Sequence, residues 1–90
     1  MRNFVVSVNT GDFDLKYFKT KTITQCEEGK VCYGISVEKY IDGKLEEGAD
    51  SGCISEEDGQ VSEIIEKLAE GGVTPVAFCE VIDEMELRVH

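Results

Sequence analysis

The sequence has no tryptophan, one proline and one histidine, and that histidine is the last residue, His90. A catalytic triad or dyad needs an imidazole held rigidly by its surroundings, which a chain terminus does not provide. Basic residues are scarce as well: nine Lys plus Arg stand against nineteen Asp plus Glu, a net charge of −10. Such a field repels phosphate backbones and anionic head groups, so neither nucleic acid nor a membrane is an expected partner. No apolar run approaches the roughly 20 residues of a membrane span, and Met1 to Val8 is too short an apolar stretch for an export signal, so the expected location is cytoplasmic. No Cys-x-x-Cys occurs: Cys26, Cys32, Cys53 and Cys79 are separated by five, twenty and twenty-five residues, whereas thiolate zinc pairs sit roughly two to four apart. In a cytoplasmic chain these four cysteines are expected to stay thiols. Phosphate loops and dinucleotide fingerprints are missing, and a calcium loop starting at Asp50 fails because its third and fifth positions, Gly52 and Ile54, bring no side-chain oxygen. The chain is therefore expected to use no cofactor or metal and not to be an enzyme.

What is present is enough for one small folded domain over residues 1–90, with 41% hydrophobic and 31% charged residues. Phe4, Val6 and Val8 alternate with Val5, Ser7 and Asn9, which predicts a strand over about 2–9 with Phe4 on the core side. Phe13, Leu15, Tyr17 and Ile23 share one parity in a second strand over about 13–25, and Glu27 to Lys30 reads as a hairpin turn. Val31, Tyr33, Ile35, Val37 and Ile41 give a third strand over about 31–41. Asp42-Gly43 is a strong type I′ hairpin signal, because both central residues need positive φ, and a short strand over 44–47 follows.

The period then changes. Val61, Ile64, Ile65 and Leu68 fall at i, i+3, i+4 and i+7, one stripe of a helix over about 56–70, capped by Ser55, with Glu56 to Asp58 in its first turn and Gly71-Gly72 at its end. Thr74-Pro75 opens a second helix over about 75–86, with Phe78, Val81, Ile82 and Met85 on its apolar side and Cys79 expected to be buried among them. Strands first and helices second predict an α+β fold: a four-stranded antiparallel meander with two helices packed on one face.

The strings Tyr33-Gly34-Ile35-Ser36-Val37, Ile54-Ser55-Glu56-Glu57-Asp58 and Val73-Thr74-Pro75-Val76, with the stripe Val61, Ile64, Ile65, Leu68 and then Phe78, Val81 and Ile82, carry a resemblance. Over the last two thirds of the chain the sequence resembles a family of short uncharacterised proteins from anaerobic Gram-positive bacteria, a domain of unknown function. The resemblance implies the fold and a bacterial cytoplasmic setting, and no activity.

Function is then sought on the surface. With the core parity turned to the helices, Val5, Phe18, Cys32 and Tyr40 fall on the open face of the sheet, a candidate patch for a protein partner or a second copy of the chain. Charge supplies a second surface. Residues 1–45 carry seven basic and six acidic side chains, net +1, and residues 46–90 carry two and thirteen, net −11. Glu63, Glu66 and Glu70 lie on the outer side of the first helix and fit a basic partner, or serve solubility alone. The first reading is thus a non-catalytic protein-interaction or regulatory module. A small-molecule or metal-ion binder using Cys53, the expected exposed thiol, and the carboxylates of Glu46 to Asp58 is the alternative.

Overall fold

Four segments of period-two alternation joined by short turns pair most readily with their own neighbours in sequence, and the structure, a computed structural model, shows that arrangement. It describes residues 2–24 and 30–81. Strands β1 (Arg2–Asn9), β2 (Asp14–Thr24), β3 (Lys30–Ile41) and β4 (Lys44–Asp50) form one antiparallel sheet in the order β1-β2-β3-β4. Helix α1 (Asp58–Gly71) follows, and α2 begins at residue 75 and is described to residue 81. The turn expected at Glu27 to Lys30 and the end of the second helix, with Ile82 and Met85, lie outside the described residues, apart from Lys30 itself in β3.

Asp42 (φ 52°) and Gly43 (φ 78°) both adopt the left-handed conformation, as a type I′ turn requires. β4 runs three residues beyond 47 because Gly48, Ala49 and Asp50 keep pairing with Glu38, Val37 and Ser36. The core lies between the sheet and the helices. Leu15 and Tyr17 of β2 and Ile35 and Val37 of β3 meet Val61, Ile65 and Leu68 of α1 and Phe78 of α2, all buried. Tyr17 also ties the layers by a polar bond: its hydroxyl donates to the carbonyl of Val73 at 2.8 Å and lies 3.3 Å from that of Leu68. Gly72 closes α1 in the left-handed conformation (φ 61°), with the Gly72 and Val73 N–H groups donating to Ala69 and Leu68. Thr74 stands before α2 as its cap, its hydroxyl accepting the Ala77 N–H at 3.4 Å.

Three expectations about faces and caps are corrected. Phe4 does not face the helices. Its partner in β2 is Phe18, while Val6 pairs with Tyr17, so Val5 is an extra residue in a β-bulge that reverses the parity of β1. Phe4 lies on the open face, 58% exposed, and Val5 is turned toward α1, where it borders a depression with Glu66, Ala69 and Glu70. Ser55 is not the N-cap of α1. Its backbone is committed to a bridge with Tyr33, and its hydroxyl accepts the Glu57 N–H at 3.0 Å, so the helix starts at Asp58 with Glu57 as its cap residue. Cys79 is exposed, because the neighbouring Phe78 takes the inward position and the next residue of a helix points about 100° away.

Candidate interaction surface

The face of the sheet opposite the helices is built from the even residues of β2 and β3, and among the described residues no helix covers it. Phe18 is its centre. The Phe4 ring meets it edge-on, with centroids 5.8 Å apart at 72°, and the Arg2 guanidinium lies 4.2 Å over its ring. Arg2 reaches on across the sheet to β3, donating to Glu38 at 3.1 Å and lying 3.5 Å from the Ser36 hydroxyl. Glu38 accepts a further bond from the Tyr40 hydroxyl at 2.8 Å, and Lys16 lies 4.5 Å over the Tyr40 ring. Tyr40 has its pKa raised by the hydrogen bond it donates to Glu38, by partial desolvation and by the Glu38 charge, with Arg2 acting in the opposite sense. A second β-bulge, at Glu46, sets Leu45 opposite Tyr40, where it is 57% exposed. A strip of three aromatic rings, Phe4, Phe18 and Tyr40, the last two each beneath a cation, thus runs across β1, β2 and β3, with exposed Leu45 at its far margin. Its chemistry is that of contact: stacking, ion pairing and apolar burial.

One end of this face is closed by the chain itself. Beyond β4 the segment from Ser51 to Ser55 follows the edge of β3: the Ser51 N–H donates to Ile35 at 2.9 Å, Ile54 donates to Tyr33, and Tyr33 donates to Ser55 at 2.7 Å. Gly52 crosses over Gly34 so closely that a Cβ on Gly34 would strike the Gly52 carbonyl and lie 2.8 Å from the Thr20 hydroxyl. Cys53 is thereby brought to Cys32, with Cα atoms 5.6 Å apart, and the two form a disulfide. Two expectations fall with that bond. Cys32 is not an exposed member of the patch but is buried beneath the crossing segment, and Cys32 and Cys53 are not thiols. The sequence separation of 21 residues gives no hint of this contact, which arises because glycines at both crossing points let two backbones touch.

The residues picked from sequence are therefore sorted differently. Phe18 and Tyr40 do share the open face. Val5 leaves it for the helical side and Cys32 is sealed at its end. Phe4, Arg2, Glu38 and Leu45 join it. A cue to Phe4 was available, since the unbroken run Phe4-Val5-Val6 breaks strict alternation where the bulge sits. Glu63, Glu66 and Glu70 are exposed on α1, as expected, beside exposed Lys67. At the start of α1, Lys19 pairs with Asp58.

The surroundings of Cys53 hold a depression of about 440 Å³ lined by Ile54, Ser55, Glu56, Glu57 and Gln60. Cys53 enters it as half of a disulfide, and among the described residues no three His, Cys, Asp or Glu side chains converge as metal ligands. No helix among the described residues is long and apolar enough to cross a membrane.

Compared with known protein families, the sequence matches a family of unknown function (DUF6514) over residues 2–87, which extends the similarity to the β1 and β2 region. Comparison with curated proteins returned no match, and neither did comparison with solved structures.

Proposed function

The chain belongs to this family of unknown function, and from its geometry we propose that it is a small non-catalytic module that binds a protein partner through the open face of its sheet. The observation that carries the reading is the aromatic and cationic strip of Phe4, Phe18, Arg2, Tyr40 and Lys16, covered by no helix among the described residues while the opposite face is buried by α1 and α2. Aromatic residues and arginine are the side chains enriched where proteins meet. Glu63, Glu66 and Glu70 form a second, acidic contact for a basic partner. Capture from native cell extract tests both surfaces at once. Phe4→Asp should abolish capture if the sheet face is used. Reversal of the three glutamates to lysine should abolish only the part of capture that weakens with salt. Capture unchanged in both variants would overturn the reading.

We place the protein in the cytoplasm of an anaerobic Gram-positive bacterium, the setting its sequence resemblance implies. The Cys32–Cys53 bond weighs against a reducing compartment, where disulfides seldom persist. Acid-quenched thiol trapping in cells decides: cysteines 32 and 53 captured as thiols support the cytoplasm, and a fully oxidised pair excludes it. The depression beside Cys53 supports a second reading, binding of a small molecule or metal ion by the opened thiol and neighbouring carboxylates. Zinc or iron retained in stoichiometric amount by reduced protein would favour it over the first.

A further inference from the structure

The interaction reading leaves the occupant of the sheet face open, and the distribution of charge narrows it. A basic partner is drawn to residues 46–90, net −11, which include α1 and the start of α2, and an acidic partner is repelled by the molecule as a whole at −10. The open face belongs to neither description. Among the described side chains the register sets Asp14, Lys16, Glu38 and Asp50 on it together with Arg2, two cations against three carboxylates. A nearly balanced, aromatic surface is what an isologous contact requires, because the same patch must complement itself.

We infer that the occupant is a second copy of this chain, packed sheet to sheet about a two-fold axis; the inference rests on the interaction reading. In this arrangement the two acidic helical layers lie on opposite outer sides of the dimer, separated by both sheets. Packed sheets stand about 10 Å apart, already beyond the screening distance of about 8 Å at physiological salt. Any contact through the helices instead brings the two most acidic surfaces together. The segment that crosses at Gly52 stands over the Gly34 end of the face, so the second copy sits toward the Asp42-Gly43 end, over Phe4, Phe18, Tyr40 and Leu45. Phe4 and Leu45, 58% and 57% exposed, lie at the two margins of that region, one on each edge strand, and both become buried.

Sedimentation equilibrium over a wide concentration series tests the inference. The wild type should move from 10.0 kDa to twice that mass as concentration rises. Two-fold symmetry counts each substitution twice, so Phe4→Asp and Leu45→Asp should each raise the dissociation constant by at least about tenfold. Both side chains are more than half exposed, and an unchanged thermal transition at low concentration verifies that the fold survives. Reversal of Glu63, Glu66 and Glu70 to lysine should leave the association in place. A wild type that stays at 10.0 kDa throughout, or a dimer indifferent to both substitutions, overturns the inference. A monomer that still captures another protein in a Phe4-dependent manner overturns the second copy alone. A monomer without such capture overturns the interaction reading too.

Discussion

Single atoms hold this fold at a few places. The Tyr17 hydroxyl is buried, and it donates to the carbonyl of Val73 in the turn between α1 and α2. Tyr17→Phe should cost about 1 to 2 kcal/mol in urea unfolding, the usual effect of orphaning a buried acceptor. Burial also raises the Tyr17 pKa above its ordinary 10.0. The neutral form is the folded form, so stability should be level below pH 10 and fall as pH rises through the higher folded value. Tyr17→Phe should shrink that alkaline fall, leaving the share due to Tyr40, whose pKa is also raised. Gly34 is a harder constraint, because what a Cβ meets there is the backbone of Gly52, which cannot swing aside as a side chain would. Gly34→Ala should cost more than about 2 kcal/mol, and exchange protection of the Ser51 and Ser55 amides should collapse with it. Reduction of the Cys32–Cys53 bond should lower stability by about 3 kcal/mol. Without reductant Cys79 should react with a thiol reagent while Cys32 and Cys53 stay silent; reaction of either in the folded, unreduced protein would contradict the pairing.

At the scale of elements, α1 contributes stability through one stripe. Ile65→Ala should cost roughly 2 to 5 kcal/mol, and Ile64→Ala, at a half-buried position, clearly less. Equal costs would show that the helix is rotated from the position described. The elements were legible because their periods differ: two for Leu15, Tyr17, Ile35 and Val37, and 3.6 for Val61, Ile65 and Leu68. The Asp42-Gly43 turn, the Gly72 stop and the Thr74-Pro75 start were legible for local reasons, each being a backbone conformation that few residues adopt. What was not legible is non-local. Nothing near Phe4 says which side of Val5 takes the bulge, and one inserted residue moved Phe4 to the opposite face. Gly34, isolated within an otherwise good strand, is a sign of close approach, yet it does not say that Gly52 and Cys53 are what approaches. Of the four residues expected on the open face, Phe18 and Tyr40 therefore lie there, while Val5 faces the helical side and Cys32 is covered.

For the whole molecule, charge and chain order have separate consequences. The net −11 carried by residues 46–90 is a store of like-charge repulsion. Moderate salt should raise the thermal midpoint by screening it, and Glu63→Lys with Glu66→Lys should raise the midpoint at low salt and reduce its salt dependence. A midpoint falling with salt would mean that ion pairs such as Arg2–Glu38 and Lys39–Glu47 outweigh the repulsion. Chain order acts on time. Each strand pairs with the one made just before it, so on the ribosome the sheet can assemble as it is synthesised, but the residues that cover it come last. At about 5 to 20 residues per second, the stretch from Ser51 to Val81 takes roughly 2 to 6 s. During that interval Leu15, Tyr17, Ile35 and Val37 belong to a sheet whose covering residues are not yet made, and their apolar side chains are open to a chaperone.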